Sequence, residues 1–266
     1  MLRTRIVSAA ILIPIIGAAV YFGGGFYVGL VLVAGLLAGW EYFALVRRSG
    51  AATSPAIGLG LVVLLLIDAH WPALNARAWA PLLAVLAALT VHIFRANGPG
   101  SLSGWGLTVA GGSYLGYALA QFIRLRNGPD GAAWIALAFV GTWITDTGAY
   151  FVGRAVGRQP FFAHISPKKT LEGAIGGLVT GVIAVMALGA WWINLPAVNG
   201  LVLGVLLALA ATFGDLAESV LKRQVGVKDS GNLIPGHGGM LDRVDSLLFV
   251  VPVVYYFTVA LGINAP

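Results

Sequence analysis

Residues 201–263 read LVLGVLLALAATFGDLAESVLKRQVGVKDSGNLIPGHGGMLDRVDSLLFVVPVVYYFTVALGI. Two apolar runs, Leu201–Phe213 and Leu247–Ile263, enclose a polar block over residues 215–245. Asp215 and Glu218 follow directly on the first run, and Asp242 and Asp245 come just before the second. An ionisable side chain at bilayer depth costs about 2.5–3.5 kcal/mol on insertion scales. Charges set this tightly against two spans therefore mark a functional site.

The rest of the chain supports a membrane reading. Its 266 residues are 59% apolar and 10% charged, with a mean hydropathy of +0.90. A soluble domain carries about 25% charged residues. The expected fold class is all-α, a polytopic integral membrane helical bundle. A span takes about 20 apolar residues, and helices are expected near 5–22, 26–46, 56–70, 77–95, 105–124, 132–152, 171–193, 199–222 and 246–263, about nine spans in all. Seven of the ten acidic residues lie from Asp146 onward. The chain thus reads as transmembrane scaffold over 1–104 and catalytic region over 105–266, with polar loops at 153–170 and 223–245.

With nine spans and a cytoplasmic N-terminus, Arg3, Arg5, Arg47, Arg48, Arg95, Arg154, Arg158, Lys168, Lys169, Lys222, Arg223, Lys228 and Arg243 all fall inside. Only Arg77, Arg124 and Arg126 fall outside, a count of thirteen against three. That is a strong positive-inside bias, and it puts both polar loops on the side where nucleotides are. Arg3, Arg5 and the apolar run that follows have signal-peptide character, but the run enters Gly23–Gly25 with no clear cleavage site, so an uncleaved first helix is expected. The formal charge of +6 suits cytoplasmic loops and anionic substrates, and no nucleic-acid partner is expected. The absence of cysteine excludes disulfides and thiolate chemistry.

On a helix through residue 222, Asp215, Glu218, Ser219 and Lys222 share one face about 100° wide. The bland reading is a helix end whose charges snorkel to the interface. Further on, glycines surround His237, so that backbone N–H groups can approach anionic oxygen. Asp242 and Asp245 start the last helix. Acids are favoured there electrostatically, but two carboxylates also suit Mg²⁺, which takes carboxylates together with substrate phosphates. A second cluster, Ser166–Glu172, combines a helix start signal with Lys168 and Lys169, which are available to phosphate. Asp146 sits mid-way through an apolar span and is a functional candidate on that ground alone. No Gly-x-x-x-x-Gly-Lys-Ser/Thr loop occurs, so P-loop ATP hydrolysis is not supported. Nor is there a Gly-x-Ser-x-Gly elbow, or zinc spacing among His70, His92, His164 and His237.

The run Ser219-x-Leu221-Lys222-Arg223-x4-Lys228-Asp229-x-Gly231-x2-Ile234-Pro235-x-His237-Gly238-Gly239-Met240-x-Asp242-Arg243-Val244-Asp245 resembles the signature of the phosphatidate cytidylyltransferase (CDP-diglyceride synthase) family at every fixed position. The resemblance extends more loosely to Ser166–Glu172, to the Asp146 span and to a Trp40-Glu41-Tyr42 element. It implies transfer of CMP from CTP to phosphatidate, giving CDP-diacylglycerol and pyrophosphate, in phospholipid biosynthesis at the inner (plasma) membrane. It points to Lys222, Asp215 and Asp242 as catalytic. Mg²⁺ would sit on Asp215 and Asp242, with Asp245 and Asp146 as further ligands and room for a second cation. Lys168, Lys169, Ser219, Arg223, Lys228, Asp229, His237 and Arg243 would meet substrate. Glycine-rich helix packing leaves room for a homodimer.

Two other classes compete. A transporter would use Asp146 and Asp215 as an ion relay, but paired broken helices in an inverted repeat are not seen. A polyprenol kinase stays open as an alternative, because nucleotide choice is not read off these residues. A CDP-alcohol phosphotransferase would carry an Asp-Gly-x2-Ala-Arg type motif, which is absent.

Overall fold

The computed structural model describes residues 2–94, 101–233 and 238–264. Among these residues the chain is helical, with one isolated β-bridge, Pro160 to Thr170. The helices are α1 (Leu2–Phe22), α2 (Gly24–Arg48), α3 (Pro55–His70), α4 (Ala76–Ile93), α5 (Ser101–Asn127), α6 (Gly131–Val156), α7 (Leu171–Ile193), α8 (Ala197–Gln224), the short α9 (Leu241–Val244) and α10 (Leu247–Ala260). Among the described residues, six helices are long and apolar enough to cross a membrane: α2, α4, α6, α7, α8 and the α9–α10 segment Leu241–Ala260. The protein is a multi-pass membrane protein. Each expected helix coincides with an observed one to within a few residues. α3 and the apolar part of α1 (Ala10–Phe22) are shorter than a full span. Arg95 and His237 lie outside the described residues.

Two compact units emerge, and neither is continuous in sequence: Met1–Arg124 with Leu221–Val244, and Leu125–Val220 with Asp245–Pro266. The signature loop therefore belongs to the same unit as the N-terminal helices.

In the first unit α2 packs on α1 and α3, α3 packs on α4, and α9 rests on α2. Asp68, 1% exposed, lies near the end of α3. Asp68 Oδ1 accepts a hydrogen bond from Ala76 N at the start of α4 (2.6 Å), and Oδ2 accepts one from Arg124 Nη2 of α5 (3.2 Å). One buried carboxylate thus ties three helices and supplies an acceptor to a helix N-terminus that lacks a side-chain cap. Removing one partner of a buried pair costs about 3–5 kcal/mol. Asp68→Ala should therefore lower the melting temperature in detergent markedly, measured by thermal unfolding; an unchanged melting temperature would show that the pair carries no net stability.

In the second unit α6 and α7 form the tightest pair, and α10 packs on α6. Gly173, Gly177 and Gly181 form a small-residue stripe on α7. A Cβ on Gly177 would come within 2.9 Å of Thr145 O and of Ala149 Cβ on α6, so only glycine lets the backbones approach this closely.

Candidate active site

The second unit holds an open pocket of about 500 Å³. From α6 it takes Thr145, Asp146, Ala149, Tyr150, Gly153 and Arg154, which recur every three or four residues along one helix face. Lys168 and Lys169 enter from the loop before α7, and Thr212 and Asp215 from α8. Lys169 Nζ pairs with Asp215 Oδ2 at 2.6 Å, both side chains remaining partly exposed. Ser219, one turn further along α8, donates to Asp215 Oδ1 at 3.4 Å. Asp146 lies within electrostatic reach of Asp215, Asp245 and Lys169. The residue before Asp215 explains how Asp245 comes near: a Cβ on Gly214 would meet Asp245 O and Ser246 Cα at 2.9 Å. Backbone therefore lies on backbone where α8 meets the start of α10. The unit thus gathers three of the expected carboxylates and two expected lysines.

The loop carrying those lysines is tied down at several points. Thr170 caps α7, its Oγ1 accepting from Gly173 N at 3.2 Å. The Glu172 carboxylate accepts from Arg158 N (3.0 Å) and Gln159 N (3.2 Å) at the far end of the loop. Backbone bonds from Phe161 N to Lys169 O and from Leu171 N to Gln159 O close the turn. The helix start signal is thus also the clasp that presents Lys168 and Lys169 to the pocket.

The first unit holds the signature loop. α8 stops where Gly226, at φ 71°, takes a left-handed turn that only glycine adopts freely, and Val227 N bonds back to Lys222 O. Lys222 points inward, 7% exposed, and its Nζ donates to Asp242 Oδ1 at 2.7 Å. Asp242 Oδ2 accepts from Ser230 N (2.9 Å), Ser230 Oγ (2.8 Å) and Gly239 N (2.8 Å). Lys222 on Oδ1 and the donors grouped around Oδ2 thus hold this carboxylate in place, the Ser230 hydroxyl proton being shared with a second acceptor. The network continues to a residue that the sequence reading did not select. Glu41 on α2, 5% exposed, accepts from Ser230 Oγ (3.0 Å), Met240 N (3.0 Å) and Leu241 N (2.8 Å). Arg223, Lys228, Asp229 and Arg243 stand exposed around this core, Arg223 donating to Val227 O at 3.0 Å.

Sequence reasoning also passed over Arg154 and Tyr150, whose side chains bond each other at 3.0 Å beside the pocket. Their spacing from Asp146 on one helix face was the available signal. For Glu41 the signal was a carboxylate inside an apolar span, the same one that singled out Asp146.

No group of three or more Asp, Glu, His or Cys side chains converges tightly enough for an all-protein metal cage among the described residues. Mg²⁺ does not need one. It keeps waters and binds through one or two carboxylates plus substrate phosphates, and the hard oxygens of Asp215 and its neighbours fit that chemistry.

A model of the cytidylyltransferase family matches residues 3–261. The chain belongs to this family. Among relatives, it is 35% identical to the phosphatidate cytidylyltransferase of Synechocystis sp., covering 97% of this chain and 96% of that one. It is 35% identical to the protein of the same name from Bacillus subtilis, over 85% and 86% of the two chains. To the Staphylococcus haemolyticus phosphatidate cytidylyltransferase it is 44% identical over 53% and 54%. The family match spans nearly the whole chain, so it takes in both units and not the signature alone.

Proposed function

We propose that the protein is a CTP:phosphatidate cytidylyltransferase that makes CDP-diacylglycerol and pyrophosphate. The observation that carries this reading is the complete sequence signature over Ser219–Asp245, whose Lys222 and Asp242 form a buried pair. Full-length similarity to relatives of that name supports it.

The nucleophile is the lipid phosphate, whose second pKa is near ~6, so it is already anionic and needs no strong general base. An oxygen of that phosphate attacks the α-phosphorus of CTP as the bond to the β-phosphate oxygen breaks. The barrier is repulsion between two anions, and positive charge held in place lowers it. Lys168, Lys169 and Arg154 supply that charge at the pocket, and Lys222, Arg223, Lys228 and Arg243 supply it at the signature loop. Asp215 is the carboxylate we assign first to Mg²⁺, with Asp146 and Asp245 beside it. Asp242 stays a candidate ligand on the family resemblance alone. A divalent ion held there would supply positive charge to offset that of the phosphates. Asp229 and Ser219 orient substrate or its cationic partners. Exposed apolar side chains on α6 and α7, Phe151, Ile175 and Val179, suit acyl chains arriving from the bilayer. Purified protein given CTP and phosphatidate should release liponucleotide and pyrophosphate only with a divalent ion; equal turnover in excess chelator would remove the metal from the reading.

The topology we propose has nine spans, the six long helices together with α1, α3 and α5, with the N-terminus and both polar loops cytoplasmic in the inner membrane. The count of thirteen basic residues against three supports it. The native chain has no cysteine, so single cysteines report cleanly. Ser230 is buried and unsuitable, whereas Gln159, Asn232 and Asn127 are exposed. In intact cells an impermeant thiol reagent should label a cysteine at Asn127 and spare those at Gln159 and Asn232. The reverse pattern would invert the topology.

A further inference from the structure

We infer that Glu41 is a positioning residue for the signature loop, holding its backbone so that the buried Lys222–Asp242 pair is kept in place; this rests on the reaction proposed above. Glu41 stands about 190–200 residues from its partners in sequence, yet its Oε1 accepts from Met240 N and its Oε2 from Leu241 N and the Ser230 hydroxyl. Ser230 Oγ also lies 2.8 Å from Asp242 Oδ2. A hydroxyl has one proton, so it links the two carboxylates while donating to one of them at a time. The glycines on either side of the loop follow from this arrangement. A Cβ on Gly231 would run into Glu41 Oε1, and a Cβ on Gly239 into Glu41 Oε2 and Ser230 Oγ. Two of the signature glycines thus form a cradle for a side chain supplied by α2. An isolated buried carboxylate would be costly, and it is the loop's own donors that offset the cost. Glu41 and the loop therefore order each other.

The test reads order and turnover separately. Glu41→Gln presents an amide NH₂ where a carboxylate oxygen accepted, and Glu41→Asp keeps the charge but withdraws it by one methylene. Hydrogen exchange of the intact, detergent-solubilised protein should show amides of the 229–233 and 238–242 segments exchanging at least about ten-fold faster in both variants, with α3–α5 protection unchanged. CDP-diacylglycerol formation should fall about 10- to 100-fold, chiefly in kcat, with KM for CTP changing far less. Wild-type protection and kcat in both variants would overturn the inference. So would protection lost equally from α3–α5, which would make Glu41 a general fold element. If wild type forms no liponucleotide the reaction reading fails, while the exchange result still decides whether Glu41 holds the loop.

Discussion

Asp215→Asn is expected to reduce CDP-diacylglycerol formation by about 10²- to 10³-fold or more, the scale of losing a group that stabilises developing charge, while the protein stays folded. Both halves follow from its surroundings. The carboxylate is partly exposed at the pocket, so its pair with Lys169 contributes little to stability. Asparagine keeps an oxygen that can accept from Ser219 and Lys169. It loses the negative charge that Asp215 offers to a divalent ion. The check is turnover across a range of Mg²⁺ concentrations alongside a thermal melt. Near-normal turnover at ordinary Mg²⁺ would remove Asp215 from the metal assignment.

Lys222 should be sensitive in both stability and rate, unlike Asp215. A lysine that merely snorkels needs a long stem and a positive head, and arginine would replace it. Here the ammonium is buried and bonded to Asp242 at 2.7 Å, so its position is dictated by a neighbour that itself holds the loop. A planar, wider guanidinium does not fit where a compact ammonium does. Lys222→Arg should lose at least about ten-fold in turnover, ~1.4 kcal/mol of transition-state stabilisation. Lys222→Ala should lose more, and should also lower the melting temperature, because breaking a buried pair costs about 3–5 kcal/mol. Full turnover and an unchanged melting temperature in Lys222→Arg would make the residue an interface anchor.

Hydropathy made the helices legible because in a bilayer length and apolarity alone define a span. The signature singles out Lys222 and Asp242 as candidates because phosphate chemistry draws on those residue types. What hydropathy and motif could not supply was long-range pairing. The division into scaffold over 1–104 and catalytic region over 105–266 rested on where the acids lie in sequence. In the fold, Leu221–Val244 groups with Met1–Arg124, and Glu41 of α2 is bonded into the signature loop. The hydrogen bonding of Asp242 was not legible, because its donors, Ser230 and Gly239, lie across a loop whose turns no periodicity predicts. Asp68 went unremarked for a similar reason, since its partner Arg124 is 56 residues away.

The central claim is nucleotidyl transfer, and the fate of each CTP phosphate tests it most directly. Purified protein in mixed micelles with phosphatidate and Mg²⁺ would be given CTP labelled at either the α- or the γ-phosphorus. The account predicts that α-label enters the lipid fraction in a one-to-one ratio with released pyrophosphate, and that γ-label leaves entirely in pyrophosphate. Transfer of γ-label to lipid would make the protein a kinase and contradict the account.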